Sequence, residues 1–456
     1  MNVTQREITA EYLPANVRKI ISVLRKAGHE AYVVGGCVRD MFLEREPGDW
    51  DITTSARPEE VKKIFRRTID TGIQHGTVTV LLDSGAYEVT TYRSDGDYED
   101  QRHPSSVEFV TNLKEDLLRR DFTINAMAYN PDEGLQDPYH GLDDLEKGLI
   151  RCVGDPDARF SEDALRMMRA VRFSAQLDFD IEENTAEAIK KHAPDLSRIS
   201  VERVCAELVK LIVSDHPEYM LKAYDYGITK VVLPEFDALM ETQQKNRHHI
   251  FNVGMHTVKV MTGVRPERII RLSALLHDIG KPDARLPDEN GEDHFKGHAL
   301  IGEVKANRIM RRLRMDNDTI RRVCLLVRHH DDRFPAEKKN VRRMLGRLGP
   351  ELFPYYIELR RADTAAQSDY LRKEKTENID RIEELYFEII DEEQCYSLDS
   401  LAITGRDIIK LGVRPGPIIG GLLRKALDLV IEVPEANTKE TLLKFLQQDL
   451  HFKRKK

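Results

Sequence analysis

The chain has 456 residues, enough for about three domains of ordinary size, and 41% hydrophobic residues can form a sizeable core beneath a surface that is 32% charged. A net charge of −8 argues against a protein that coats nucleic acid, although a local basic track would suffice to grip one end of a folded RNA. No run approaches the ~18 apolar residues of a membrane span, and the N-terminus lacks a signal-like apolar region. Five scattered cysteines without a CxxC pair fit a reducing compartment, so the expectation is a cytosolic protein.

The first predicted element is a helix over Pro14–Ala27, with Val17, Ile20, Ile21 and Leu24 at helical spacing and Gly28 as its stop. A short apolar strand, Ala31–Val34, then leads into Gly35-Gly36 and a helix-like CVRDMFL segment. Backbone amides at the two glycines could approach a triphosphate closely, and Arg39 could pair with phosphate bidentately. Equally, this is what a glycine turn with a surface arginine looks like.

Asp49–Thr53, Thr77–Leu82 and Tyr87–Tyr92 read as strands by alternation and β-branched content. Asp49 and Asp51, two apart in a strand, would point to one face. Such a pair suits two Mg²⁺ ions about 3.5–4 Å apart; alone, it also fits a solvated turn. Glu88 could add a third carboxylate or simply face solvent. Between Arg93 and Pro104 lies a polar loop, SDGDYEDQRH, too long for a simple hairpin turn.

After about residue 150 the strand signals vanish. Helices are predicted over Ala164–Gln176, Val201–Val213, Ile269–His277, Ala299–Leu313, Thr319–His330 and Arg381–Ile390, with weak boundaries near Gly154-Asp155-Pro156, Leu233-Pro234 and Asp391-Glu392-Glu393. Ser161 is the predicted N-cap of the first of these, with Phe160 and Leu165 as a hydrophobic staple. That helix carries Asp163, Arg166, Arg169 and Arg172 at steps of three, so Asp163 and Arg166 are expected to act together. A carboxylate accepts and a guanidinium donates. Such a pair matches the amino donor and ring-nitrogen acceptor shared by cytosine and adenine, and mismatches uracil and guanine. The arginines could instead form a solvated face or a phosphate track.

Taken in order, GGCVRD, DWDITT, RRDFTINA at Arg119–Ala126 and EDALRMMRAVRF resemble the class II CCA-adding enzymes and bacterial poly(A) polymerases. The resemblance implies an α+β chain: a small α/β nucleotidyltransferase head with a polymerase-β-like sheet (15–150), then an all-helical neck with the nucleotide-recognition helix and the start of the body (151–230), a helical HD domain (231–395) and a helical RNA-binding tail (396–456). It implies Asp49 and Asp51 as catalytic Mg²⁺ ligands, and Gly35, Gly36, Arg39, Arg120 and Asp121 at the incoming nucleotide, the last at its ribose. Asp163 and Arg166 would form the protein template, supported by Arg169 and Arg172. The loop at Ser94–Pro104 resembles one found in CCA- and A-adding relatives and missing from those adding only CC.

Between residues 256 and 363 stand His256, His277-Asp278, His298, His329-His330 and Asp363. Imidazoles and carboxylates suit a divalent transition metal that activates water for phosphoester hydrolysis. Their order resembles an HD phosphohydrolase domain. The resemblance implies His256, His277, Asp278 and Asp363 as the core ligand set for a second divalent metal, with His298 and His330 as ligands of a further ion. Towards the end, Ala402–Gly421 contains ITGRDIIKLGVRPGPIIGG, a Gly/Pro-punctuated helix pair, followed by an amphipathic helix and a basic HFKRKK.

The expected activity is template-independent addition of C, C and A to a tRNA 3′ end, with CTP, ATP and tRNA as partners, no membrane and no protein partner. A poly(A) polymerase is the alternative within the same head type. From another class, the head would be a non-catalytic RNA clamp and the HD region the only enzyme.

Overall fold

The computed structural model describes residues 9–73, 76–83, 85–95 and 107–454. The chain forms two compact units, Met1–Asp237 and Ala238–Lys456, dividing close to the Leu233-Pro234 boundary. No helix among the described residues is long and apolar enough to cross a membrane.

In the first unit, α1 (Ala15–Lys26) buries Val17, Ile20, Ile21 and Leu24, the stripe that its spacing predicts. Next come β1 (Ala31–Val34), α2 (Gly36–Phe42), β2 (Ile52–Thr54), α3 (Pro58–Ile64), β3 (Thr68–Gly72), β4 (Thr77–Leu82) and β5 (Gly85–Thr91). A small antiparallel ladder, β6 (Arg93–Asp95) with β7 (Val107–Phe109), precedes α4 (Leu113–Leu118), β8 (Ala128–Asn130), β9 (Gly134–Gln136) and α5 (Gly141–Lys147). Seven strands make one sheet in the order β3-β4-β5-β2-β1-β8-β9. Only β2 and β5 run parallel, with Ile52 beside Val89. Tyr32, Val34, Tyr92, Leu117, Ala126, Ala128 and Val153 form one buried cluster of this unit.

The strand that carries the paired aspartates is shorter than its sequence suggests. It begins at Ile52, so Asp49 and Asp51 lie in the extended approach to β2 and not within it. The ladder nevertheless reaches Asp51, whose carbonyl accepts from Val34 N–H at 3.0 Å. The loop expected at Ser94–Pro104 lies, apart from the start of β6, outside the described residues.

After β10 (Leu149–Ile150) come α6 (Pro156–Glu162), α7 (Leu165–Leu177), β11 (Asp180–Ile181), α8 (Glu183–His192), α9 (Val201–Ile212), α10 (Met220–Asp225), α11 (Ile228–Val232) and α12 (Pro234–Glu241). β10 and β11 pair in parallel, so strand structure does not stop at residue 150. Ser161 is not an N-cap. It lies inside α6, its Oγ donating to the Asp157 carbonyl at 2.8 Å, and Asp155 caps that helix ahead of Pro156. Phe160 and Leu165 therefore belong to successive helices, with Asp163 in extended geometry (φ −145°, ψ 101°) between them.

The second unit is almost wholly helical: α13 (Val253–Thr262), α14 (Arg268–Leu276), α15 (Lys281–Ala284), α16 (His298–Arg312), α17 (Asn317–His329), α18 (Lys338–Leu348), α19 (Phe353–Ala365), α20 (Arg372–Asp391), α21 (Gly405–Lys410), α22 (Pro417–Glu432) and α23 (Lys439–Arg454). One two-residue hairpin, Leu286–Pro287 with Asp293–His294, interrupts it. Helix α20 starts nine residues earlier than its apolar spacing indicates, because its first turns are charged and carry little of that signal. The expected C-terminal helix pair is α21 and α22, around a core of Ile403, Ile408, Leu422, Ala426, Val430, Leu442 and Leu446. All five cysteines are buried, and none forms a disulfide among the described residues. Burial pushes the thiols of Cys37 and Cys152 up to about 12.

Candidate functional site

The head site is built where β1, β2 and β5 adjoin. Because β2 and β5 run parallel with Ile52 beside Val89, Asp51 and Glu88 occupy equivalent places one residue earlier. Their proximity registers electrostatically. Partial burial pushes the Asp51 carboxyl above its ordinary value, Asp49 and Glu88 add to the rise, and Arg120 opposes it. Carboxylates that repel one another before anything binds are suited to hold a divalent cation. The donors are all oxygen, the set that magnesium prefers.

Gly35 joins β1 to α2 with φ +86°, a conformation that side chains other than glycine's resist. A Cβ there would also stand 3.0 Å from Arg120 Nη1. The glycine thus lets a guanidinium lie directly over the turn. Arg120 follows α4, where buried Asp116 accepts from Arg119 Nη2 at 2.8 Å and lies 3.8 Å from Arg120 Nη2. The Arg120 Nε has no hydrogen-bond partner among the described residues although it is buried. Arg39 is itself buried; its Nη1 donates to Asn125 Oδ1 at 2.8 Å, and its Nε to Asp40 at 2.9 Å.

Along α7 the arginines do not form a free basic face. Each has a carboxylate: Arg166 Nη1 lies 2.6 Å from Glu162 Oε2, Arg169 Nη2 lies 2.6 Å from Asp121 Oδ2, and Arg172 Nε lies 2.7 Å from Glu207 Oε2. Arg166 Nη2 also donates to the Arg119 carbonyl at 2.9 Å, linking the recognition helix to the RRDFTINA segment. Asp121 is buried, which raises its carboxyl, but Arg169 and Asn125 outweigh burial and bring it down to about 2. Phe173 provides a surface against which Arg172 lies at 3.9 Å and Arg39 and Arg169 at 5.2 Å.

Asp163 and Arg166 meet through the backbone, the Arg166 N–H donating to the Asp163 carbonyl at 3.0 Å. Asp163 Oδ2 lies 2.7 Å from Arg203 Nη2 on α9, and its Oδ1 accepts from Leu165 N–H at 3.0 Å. Glu162 was legible as the first letter of the ED pair, whereas Arg203 and Glu207 carried no sequence signal.

In the second unit the six predicted ligands converge. His256 Nε2 lies 3.0 Å from Asp363 Oδ1 and 3.7 Å from Asp278 Oδ2, and His277 Nε2 lies 3.1 Å from the same Asp278 oxygen. The other oxygen, Oδ1, lies 3.4 Å from His298 Nε2 and 3.5 Å from His330 Nε2. Two ligand groups result, His256–His277–Asp278 and Asp278–His298–His330, with Asp278 common to both.

The ring orientations are fixed from behind. Nδ1 of His277, His298 and His330 approaches the carbonyls of Ala274, Phe295 and Val327 at 2.7–2.8 Å. A carbonyl only accepts, so each Nδ1 carries a proton and each ring turns its Nε2 inward. His298 and His330 then face one another through Nε2 atoms 3.1 Å apart. Burial pulls His298 below its ordinary value, favouring the neutral ring. Both ring nitrogens of His256, Nε2 of His277 and Oδ2 of Asp278 lack hydrogen bonds among the described residues. Burial works against ionisation of Asp278 and Asp363, but His277 with Lys281, and His256, hold the two carboxyls well below their ordinary value.

The site opens into a cavity of about 480 Å³ whose lining adds His249, Lys281, Lys296, Arg333 and Gln367. Lys281 Nζ lies 2.7 Å from Asp278 Oδ2 and donates to Gln244 Oε1 at 2.6 Å. The lysine stands in HDIGK, three residues after the aspartate, a spacing that could have identified it.

Residues 31–151 match the family described as the poly A polymerase head domain, and residues 298–446 match tRNA nucleotidyltransferase domain 2. Residues 178–240 match a "Probable RNA and SrmB- binding site of polymerase A". A CCA-adding enzyme of Streptococcus agalactiae serotype V is 37% identical over 446 residues, covering 96% of this chain and 98% of the relative. One from Limosilactobacillus reuteri is 51% identical over 219 residues, 48% of this chain and 54% of the relative. Among solved structures, the Bacillus stearothermophilus CCA-adding enzyme in complex with CTP superimposes with a TM-score of 0.72 at 28% identity, covering 96% of this chain and 98% of that one.

Proposed function

This chain belongs to the CCA-adding enzymes, and from that premise we propose how its residues carry out template-independent addition of C, C and A to the 3′ end of tRNA. The observation that carries the reading is the Asp49, Asp51 and Glu88 carboxylate group beside Gly35 and Arg120. Asp49 and Asp51 would hold magnesium, which would supply acidification of the terminal 3′-hydroxyl and neutralisation of the leaving pyrophosphate.

The chain's own groups bind and orient. Backbone amides at Gly35-Gly36 and the Arg120 guanidinium receive the triphosphate. Arg39, Asp121, Arg169 and Arg172, tied together around Phe173, hold the nucleotide body. Asp163 accepts from the exocyclic amino group of cytosine or adenine, and Arg166, braced by Glu162, donates to the neighbouring ring nitrogen. Uracil and guanine would set acceptor against acceptor and donor against donor, leaving polar groups unpaired. We assign transfer to residues 15–150, base reading to 151–230 and RNA binding to the tail at 396–456, in a cytoplasmic enzyme.

For the helical region at 231–395 we propose metal-dependent hydrolysis of RNA or nucleotide phosphates. His256, His277, Asp278 and Asp363 would hold one ion, and Asp278, His298 and His330 a second; such ions supply an activated water. The histidine-rich donor set favours a transition metal over magnesium.

The head alone does not separate this enzyme from a poly(A) polymerase, because it matches that family's head domain; the full-length likeness to CCA-adding enzymes favours CCA. The test is incorporation on tRNA ending at the discriminator base. CTP and ATP together should give CCA, CTP alone should stop after the cytidines, and Asp49→Ala should abolish incorporation. Long A tails from ATP alone would overturn the reading.

A further inference from the structure

We infer that the cavity at the His/Asp cluster of the helical unit is a nucleotide site, in which the Phe295 ring stacks on the base of the phosphoester held at the cluster. The inference rests on the phosphohydrolysis proposed for residues 231–395 and names its substrate class: a phosphorylated nucleotide, free or at the end of a strand.

Phe295 stands out against its surroundings. Among the described residues that line the cavity it is the one apolar side chain; the others are histidines, carboxylates, amides and cations. It is half-buried, not packed into a core. A small phosphate ester would be served by polar walls throughout. An aromatic face left against such a cavity keeps apolar surface in water, and a planar base is the ligand that covers it.

The position of the ring follows from the backbone on either side. The hairpin of Leu286–Pro287 with Asp293–His294 ends immediately before it. Buried Asp293 anchors that hairpin, accepting from Arg285 Nε at 2.8 Å and from Lys245 N–H at 2.9 Å. Beyond the ring, the Phe295 carbonyl accepts from His298 N–H at 3.1 Å and from His298 Nδ1 at 2.8 Å. Phe295 is thus tied both to the hairpin and to a candidate ligand of the cluster. Lys281 Nζ, 2.7 Å from Asp278 Oδ2, lies 5.3 Å from the centre of the ring. One lysine therefore adjoins both the cluster, where the phosphate belongs, and the platform for the base.

A second ring lines the same cavity. His248 makes a T-shaped contact with Tyr370 at 5.0 Å between ring centres, and its Nδ1 lies 3.5 Å from Lys375 Nζ. Lys375 also donates to Gln367 Oε1 at 2.6 Å, and Gln367 Nε2 donates to Asp363 Oδ1 at 3.0 Å. Side-chain hydrogen bonds thus join this ring to the cluster. The volume of about 480 Å³ gives room for one nucleotide and not for the body of a folded RNA. Stacking accepts any base, because every base has a π face.

If Phe295 only steadied Lys281, its loss would weaken all phosphate esters alike, whereas stacking requires a base. The experiment uses the full-length chain supplied with a transition metal, as wild type, Phe295→Leu and Phe295→Tyr. Phosphate release is measured for adenosine 2′-, 3′- and 5′-monophosphate and for two esters without a base, ribose 5-phosphate and glycerol 2-phosphate. Adenylyl dinucleotides with the same terminal phosphate separate a strand end from a free nucleotide. Calorimetry on chelator-treated protein compares AMP with ribose 5-phosphate in the absence of turnover.

Wild type should prefer an adenosine phosphate to its base-free counterpart in kcat/KM. Phe295→Leu should cut that preference about tenfold, the loss of one base–aromatic stack. Phe295→Tyr, which keeps the ring, should retain it. The calorimetric preference for AMP should shrink in Phe295→Leu alone, since any binding of AMP at the head is common to all three proteins. A higher kcat/KM for the dinucleotide assigns the site to RNA ends, and for the mononucleotide to free nucleotides. Equal kcat/KM with and without a base in wild type, or an undiminished preference in Phe295→Leu, overturns the inference alone. Hydrolysis of none of these esters overturns the phosphohydrolase reading beneath it. If Phe295→Leu fails to fold, the wild-type comparison decides.

Discussion

Asp121 shows how one side chain sets a local electrostatic balance. Burial raises its carboxyl, yet Arg169, with two hydrogen bonds at 2.6 and 2.8 Å, and Asn125 at 3.2 Å bring it down to about 2. Its value in the unfolded chain is about 3.9. A carboxyl depressed by folding contributes stability above the unfolded value and loses it as pH falls through the folded one. The contribution is therefore complete above about pH 4–5 and fades towards pH 2, and the shift corresponds to about 2 kcal/mol. Asp121→Asn should lower the melting temperature at neutral pH, with the gap to wild type narrowing below pH 4. A gap that stays constant with pH would show that the carboxylate charge is not the source.

At the scale of elements, glycine controls the approach of α16 to the HDIG segment. A Cβ on Gly280 would stand 2.2 Å from the His298 carbonyl oxygen and 2.6 Å from Gly302 N. That crossing brings His298 to 3.4 Å from Asp278. Gly280→Ala should force α16 outwards, costing about 1–3 kcal/mol in overpacking. If the two proposed transition-metal ions bind, it should also lower their number per chain towards one, as measured by elemental analysis beside a melting curve. Two ions retained at full occupancy would contradict the shared-aspartate arrangement. Residue type and order made this candidate ligand cluster legible, although His256 lies inside α13 and His298 opens α16. They left the α6–α7 break illegible. Asp155-Pro156 starts a helix that consumes Ser161 and ends just before Asp163, so one apparent helix start was really the end of another. The partners of Asp163 and Arg172 lie on α9, 40 and 35 positions away, and no local pattern announces a pairing across helices. The strand expected to carry the paired aspartates begins one residue after them, because strand edges depend on ladder hydrogen bonds that alternation does not encode.

Across the whole molecule, each candidate metal site draws its ligands from one unit, and the two donor sets differ in kind. Oxygen donors in the head suit magnesium, whereas imidazoles in the helical unit suit zinc, iron or nickel. Protein stripped with a chelator and resupplied with magnesium alone should regain nucleotide incorporation in full. Phosphohydrolysis should return only when a transition metal is added. Recovery of both with magnesium alone would contradict the assignment of distinct ions.

The five buried thiols have a practical consequence for following this enzyme at work. Maleimides react with thiolates that solvent can reach, and the native cysteines offer neither open access nor, at Cys37 and Cys152, a readily ionised sulfur. A single reporter cysteine introduced on the surface should therefore take up a fluorophore selectively in the folded protein. Labelling can proceed on the natural background, without first replacing any of the five.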